Sequence, residues 1–153
     1  MAGFCLVEDV RAKNRLLRES SGWTDAQMQS RIDEVTCAIL SQLRERFPAQ
    51  LTASDWLADP PATVPKQIRF ICINLVVGKC LMDAYGEDDK LSQQGQMQYF
   101  AAMTELTALA RDAVILQVDG FSIEGQPDLI SVAPIVEDEN TQDYTSDDLN
   151  DWG

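Results

Sequence analysis

The sequence predicts an all-α protein: a compact bundle of about four helices with an extended, acidic C-terminal arm. Three observations lead to this prediction. Apolar residues recur every three or four positions in four successive segments, proline, glycine and serine separate those segments, and the pattern ends near residue 116. The 153 residues suffice for one hydrophobic core. We therefore expect a helical body over 1–116, an extended or hairpin arm over 117–133, and an acidic tail over 134–153 that is ordered only on assembly.

The first predicted helix covers residues 7–18, because its apolar residues fall on one side. A neighbouring stripe carries three arginines, Arg11, Arg15 and Arg18. Such a stripe is most often a solvated face. The alternative is an inter-subunit surface that receives an acidic segment from another copy.

The second predicted helix has a clear beginning. Thr24 followed three residues later by Gln27 forms a capping box, and Pro48 ends the segment. Its apolar residues recur at helical spacing over about six turns. We expect this stripe to be core; it consists of Met28, Ile32, Val35, Ile39, Leu43 and Phe47.

The third predicted helix follows a proline-containing connector over 48–65, in which Trp56 is expected to cover the end of the core or to contact a partner. It begins near Pro65 and stops at Gly86. Apolar residues on several sides, including Phe70, predict that it is the most enclosed helix. A glycine inside a helix costs about 1 kcal/mol relative to alanine. Gly78 therefore indicates that another backbone packs closely there.

The fourth predicted helix runs from about 92 to 116, after three acidic residues that favour a helix start. Those acids offer a cation site as a weaker alternative to a solvated helix start. Its expected buried side consists of Tyr99, Phe100, Met103, Leu106, Leu109, Ala110, Ala113 and Val114.

Beyond this helix the pattern changes. Residues 115–123 weakly indicate a hairpin around Asp119-Gly120. Residues 134–153 hold seven acids and no base, so we expect them to be disordered in the free chain. Apolar residues spaced among the acids predict a docking arm; the alternative is a solubilising tail. The expected anchors are Ile135, Val136, Tyr144, Leu149 and Trp152.

The charge distribution separates the body from the arm. The net charge is -13; residues 1–116 hold twelve basic and fifteen acidic residues, and residues 117–153 hold ten acids and no base. The acidic residues of 117–153 should repel nucleic acid and bare anionic membrane. The chain has no histidine, which disfavours zinc hydrolases, Ser-His-Asp hydrolases and haem proteins. We expect no enzyme activity, no catalytic residue and no metal or other cofactor.

The four cysteines lack metal-ligand spacing. Three of them, Cys37, Cys72 and Cys80, lie among apolar residues and are expected to be buried reduced thiols. A metal site formed by these three cysteines together with Cys5 is a remote alternative to buried thiols. No secretory signal is evident, so we expect the protein to be made and kept in a reducing cytosol, or assembled there.

Four segments, taken in order, carry a resemblance to a known family. They are Glu8-Asp9-Val10-Arg11, Arg31-Ile32-Asp33-Glu34-Val35, Ile68 to Tyr85, and Tyr99-Phe100-Ala101-Ala102 continuing to Ala110-Arg111-Asp112. Their order resembles the head–tail adaptor (connector) proteins of tailed bacteriophages, including the Mu-like prophage branch. The resemblance covers about residues 5–120 and consists of loose helix and loop patterns. The family often closes its second helix with an arginine-tyrosine pair, where this chain has Arg46-Phe47.

The resemblance implies a structural virion protein. Such adaptors form a ring, usually of twelve copies, beneath the portal, where the ring extends the DNA channel and joins the capsid to tail or stopper proteins. The C-terminal arm often contacts the portal protein. The resemblance also implies that the protein is assembled in the host cytoplasm and lies in the virion neck, and that DNA passes through the ring without specific binding.

A second class of function remains open from the sequence alone. A small acidic helical protein can mimic DNA and inhibit a host nucleic-acid-binding protein, and the net charge of -13 favours this. A mimic should spread its acids over the folded surface. Here ten acids lie in the last 37 residues, so the adaptor interpretation is the stronger one.

Overall fold

The computed structural model describes residues 2–18, 22–86 and 89–111, and the backbone of 117–118 and 121–122. Within these residues the chain forms the all-α bundle that the sequence predicts. Its elements are α1 (Val7–Lys13), a 3₁₀ turn (Arg15–Leu17), α2 (Asp25–Leu43), α3 (Lys66–Ala84), α4 (Lys90–Ala110), β1 (Gln117–Val118) and β2 (Phe121–Ser122).

The helix α2 begins as predicted. The Thr24 hydroxyl accepts a hydrogen bond from the Gln27 amide at 3.2 Å, and the Gln27 side-chain oxygen accepts one from the Thr24 amide at 3.0 Å. The whole stripe from Met28 to Phe47 is buried. Helical geometry ends at Leu43, and a turn places Phe47 in the core, where its backbone N–H donates a hydrogen bond to the Leu43 carbonyl at 2.9 Å. The prediction that this stripe is core is confirmed.

The helices α3 and α4 form an antiparallel hairpin at the centre of the bundle. Side-chain hydrogen bonds fix its register: Gln67 donates to Glu105 and Gln98 donates to Asn74, both at 3.0 Å. Close to the connecting loop the backbones touch at Gly78, as its unfavourable helix propensity predicted. Most of α3 is buried, which makes it the central element of the core.

The connector between α2 and α3 closes one end of the core. Trp56 is buried, and its ring lies 5.4 Å from that of Phe47. The Thr63 hydroxyl donates to the Trp56 carbonyl at 2.7 Å, which holds the indole-bearing segment in place. Trp56 therefore covers the end of the core, the first of the two roles expected for it.

The N-terminal segment packs across α2 and α3. Phe4 is buried, and its amide donates to the Thr36 hydroxyl at 3.0 Å. The Asp9 carboxylate pairs with the Arg69 guanidinium, with 2.7 Å between Nη2 and Oδ1. These contacts join the first residues of the chain to the middle of the bundle.

Two predicted helix ends are wrong. The first helix ends at Lys13, because Asn14 is extended and its side-chain oxygen accepts the Leu16 amide, which starts the 3₁₀ turn. The fourth helix begins at Lys90, with Asp89 as N-cap, and ends at Ala110 rather than residue 116. The predicted buried residues Ala113 and Val114 lie outside the described residues.

A short antiparallel pair follows α4. Gln117 pairs with Ser122 and Val118 with Phe121. This is the place where the sequence indicates a hairpin. The remainder of the predicted arm and the acidic tail lie outside the described residues.

Candidate interaction surfaces

The predicted binding residues have different outcomes. The five anchors of the acidic tail, Ile135, Val136, Tyr144, Leu149 and Trp152, lie outside the described residues, so their role stays a prediction. The arginine stripe is wrong as a structural unit. Because α1 ends at Lys13, Arg15 lies on the 3₁₀ turn and Arg18 follows it, and the three arginines do not share one helix face.

Arg11 has an internal role instead. Its guanidinium donates to the carbonyls of Leu17 at 3.3 Å and Trp23 at 3.1 Å, and it pairs with Asp25 at 2.5 Å. Only 13% of the Arg11 side chain is exposed. This guanidinium joins α1, the 3₁₀ turn and the start of α2, and a contact of the arginines with another copy stays a prediction.

The carboxylates with altered pKa values belong to ion pairs between helices. Hydrogen bonds from Lys79 and then Arg31 lower the pKa of Glu34 on α2. Burial opposes ionisation of Asp9, but the hydrogen bonds from Arg69 and the Leu6 amide, with the attraction of that guanidinium, lower its pKa overall. Arg31 also contacts Asp83 on α3 at 2.7 Å. These pairs orient helices, a structural role.

The cysteines partly follow the prediction. Cys72 and Cys80 are buried, and burial raises the pKa of Cys80 to about 11. Cys37 is exposed on α2 and Cys5 is buried instead, so the prediction for Cys37 is wrong. Cys37 lies between the buried positions Val35 and Ile39 but faces outward, because it is off the apolar stripe. Among the described residues no group of three or more potential ligands is close enough for a metal ion.

The outer face of α4 is the most exposed apolar surface of the described body. Met97 is 75% exposed and Phe100 is 64% exposed. The helix carries no charged residue from Leu91 to Thr104. A solvent-facing helix normally carries charges, whereas the centres of protein interfaces are depleted of them. This face, defined by Met97, Phe100 and the groove beside them, is called the α4 surface.

The groove of the α4 surface has a volume of about 420 Å³. Two threonines in it turn their hydroxyls to the backbone of their own helix: Thr104 donates to the Phe100 carbonyl and Thr107 to the Met103 carbonyl, each at 2.8 Å. The groove surface is mainly apolar, and Phe100, Met103 and Ala108 are among the residues that line it. Arg111 lies at one end of the groove and adds a positive charge.

The exposure of Phe100 corrects the prediction that it is core. The helix buries Gly95, Ala102, Leu106 and Leu109 against α3. Phe100 precedes Leu109 by nine residues, about two and a half helical turns, which places it on the opposite face. Met97 stands in the same relation to Leu106. This spacing is present in the sequence. It identifies the α4 surface once the residues of α4 that pack against α3 are known.

A second apolar surface lies between α1 and α3. Phe70 is 55% exposed, although its helix is the most enclosed of the bundle, as predicted. The Lys13 ammonium lies 4.8 Å from the centre of its ring, a cation–π contact. Asp9, Ala12 and Ile73 complete a groove of about 260 Å³. This is called the α1–α3 groove.

Comparisons with known proteins leave the family of the chain open. No protein-family model matches the sequence, and neither a curated protein nor a solved structure matches the chain. None of the described helices is long and apolar enough to cross a bilayer. The α4 surface and the α1–α3 groove are therefore the features of the described residues from which a function can be inferred.

Proposed function

We propose that the protein is a structural subunit of a homo-oligomeric ring, a head–tail adaptor that lies beneath a phage portal and joins the capsid to tail or stopper proteins. The observation that carries the proposal is the α4 surface, an uncharged helix face with two large exposed apolar side chains. Such a face is costly in a protein that stays alone in water and is expected at an interface. The order of segments that resembles the adaptor family supplies the particular assembly.

A ring requires two different complementary surfaces on each subunit. Head-to-tail contact of one surface with the other generates a closed ring when the rotation is right, whereas one self-complementary surface gives a dimer. The chain has an α4 surface on one element and an α1–α3 groove on two others. We assign the α4 surface of one copy to the α1–α3 groove of the next, with Phe100 as the inserted side chain.

The charges fit a channel that DNA passes through without specific binding. Phosphate contacts from lysine and arginine supply most of the affinity for DNA. The body is nearly balanced and every residue after position 111 that carries charge is acidic. In the proposed assembly the acidic tail reaches the portal or a neighbouring copy through Tyr144 and Trp152, and its charges make that attachment weaken with salt.

Complementation between two variants tests the ring interface. Phe100→Ser removes the inserted side chain, and Phe70→Ser removes a wall of the receiving groove. Light scattering after size separation should show that each variant alone stays small. An equimolar mixture should form pairs, because one intact α4 surface and one intact groove remain. Gln94→Ser, an exposed polar change on α4, is the matched control and should assemble like the parent chain.

The competing results are distinct. If Phe70→Ser assembles normally while Phe100→Ser does not, the α4 surface pairs with itself and the head-to-tail ring is excluded. If the parent chain stays monomeric with and without portal, the adaptor proposal fails and the acidic DNA mimic becomes the better hypothesis.

A separate experiment tests the tail. A chain ending at Ala133 and a full-length variant with Tyr144→Ala and Trp152→Ala are added to portal-bearing heads. Both should attach more weakly than the parent chain and give fewer infectious particles. Equal attachment and equal infectivity for both would show that the tail is only a solubiliser.

A further inference from the structure

Two thiols meet in the core where the N-terminal segment crosses α3. The sulfur atoms of Cys5 and Cys72 are 3.4 Å apart and share a hydrogen bond. Both residues are buried. Sixty-seven positions separate them in the sequence, so the contact is made by the fold and not by local geometry.

The chain on either side of Cys5 is fixed by separate contacts. On one side the Phe4 amide donates a hydrogen bond to the Thr36 hydroxyl. On the other the Asp9 carboxylate forms an ion pair with Arg69 of α3. Cys72 belongs to α3 itself, one turn after Arg69. The two sulfurs are therefore held facing each other by the surrounding structure, which raises their effective concentration for reaction with one another.

We propose that Cys5 and Cys72 form an oxidation site, at which a peroxide converts the two thiols into an intramolecular disulfide that ties the N-terminal segment to α3. The thiolate of Cys5 attacks one peroxide oxygen, which gives a sulfenic acid and releases hydroxide. The Cys72 sulfur then attacks the Cys5 sulfur and displaces hydroxide. Two thiols and one hydrogen peroxide become one disulfide and two waters, so peroxide is the two-electron oxidant.

The burial of the pair determines its rate and its selectivity. The hydrogen bond to Cys72 and the burial of the sulfur both raise the pKa of Cys5 strongly, so little thiolate is present while the segment is closed. Reaction therefore proceeds through brief opening of the N-terminal segment. Cys37, which is exposed, should react sooner, but among the described residues it has no cysteine partner beside it. Closure of the segment then brings the Cys5 sulfenic acid back to Cys72.

The experiment uses the folded full chain with Cys37→Ser, which removes the exposed thiol. After treatment with hydrogen peroxide, intact mass should fall by two hydrogen atoms, and peptides carrying Cys5 and Cys72 should be recovered joined. The melting temperature should rise, since the crosslink restricts the unfolded chain, and a thiol reductant should reverse the change. This outcome does not depend on ring assembly.

Two further variants, each in the Cys37→Ser background, distinguish the site from general oxidation. Cys80→Ala removes another buried thiol of α3 and should leave the crosslink unchanged, whereas Cys72→Ala should abolish it. Far-ultraviolet circular dichroism reports whether each variant is folded. A crosslink to Cys80, a mass gain of oxygen without a crosslink, or a Cys5–Cys72 crosslink that forms only in urea would overturn the proposal. Peptide mapping of the Cys37→Ser chain decides this even if Cys72→Ala does not fold.

Discussion

Gly78 and Gly95 face each other across the α3–α4 hairpin, and neither position has room for a side chain. A Cβ atom added to Gly78 would lie 2.8 Å from the Gly95 carbonyl oxygen, and one added to Gly95 would lie 2.8 Å from the Gly78 carbonyl oxygen. The relation is reciprocal, so the two glycines together set the distance between the central helices. The cost of two helical glycines is offset by this close approach.

Gly78→Ala should therefore destabilise the protein in spite of the higher helix propensity of alanine. The added methyl group meets the Gly95 backbone and the Cβ of Tyr99 at 2.9 Å, so the helices must move apart. We expect a loss of about 1–3 kcal/mol in the free energy of unfolding, measured by urea denaturation. Gly86→Ala is the control and should change it little, because no atom of the described residues lies within 4 Å of a Cβ added there. Equal effects of the two substitutions would contradict the close approach.

Ile39→Asp should unfold the monomer. Ile39 is fully buried in the stripe of α2, and an unpaired carboxylate there loses its hydration. The matched control is Ala38→Asp, one position along the same helix and exposed. Thermal unfolding followed by circular dichroism should show the loss for the first variant and little change for the second. A melting temperature unchanged in Ile39→Asp would show that the stripe is misassigned.

Acid should weaken the link between Asp9 and Arg69. The pKa of Asp9 is lowered in the folded protein from its ordinary value of 3.8. Its contribution to stability is therefore complete above that value and is lost as pH falls through the lower, folded pKa. Below about pH 4 the free energy of unfolding of Asp9→Asn should vary less with pH than that of the parent chain. In strong acid the two free energies should become equal.

The exposed neighbour Glu8 supplies the control for this titration, as Glu8→Gln on the same helix turn. The acid-dependent change should belong to Asp9→Asn, since Asp9 is the carboxylate that contacts Arg69. A constant difference between Asp9→Asn and the parent at every pH would mean that the carboxylate acts through packing and not through its charge.

Purified protein should contain no stoichiometric transition metal. The whole chain lacks histidine, and the four cysteines have no ligand spacing. Elemental analysis by mass spectrometry of protein purified without chelators measures this directly. One mole of zinc or iron per mole of chain would contradict the expectation and would direct attention to the cysteines.

The sequence predicts the elements that obey one dominant local rule. The start of α2 follows from the Thr24 and Gln27 pair alone. The buried stripe of that helix follows from the recurrence of apolar residues every three or four positions. Gly78 predicts a close backbone, because a helical glycine without a packing role is disfavoured. In each case the local preference and the tertiary structure agree.

The failures have the opposite cause. Asn14 ends α1 because its side chain bonds to the Leu16 amide, a local choice that competes with a continuing apolar pattern. Phe100 is hydrophobic but lies opposite the seam, and hydrophobicity alone does not say which of two apolar faces is buried. For the same reason the exposed faces of α3 and α4 follow from the sequence only in combination with the contacts that bury their opposite faces.

The contacts of the N-terminal segment close longer loops than the contacts within the α3–α4 hairpin. The bond between Asn74 and Gln98 spans 24 positions, whereas those between Phe4 and Thr36 and between Asp9 and Arg69 span 32 and 60. Longer loops cost more entropy to close. We expect the α3–α4 hairpin to nucleate the fold and the first ten residues to join last. The Phe4 amide should then exchange with deuterium before the amides of α3. Exchange reports the free energy of local opening, so this order would show that the N-terminal segment detaches while the central helices stay folded.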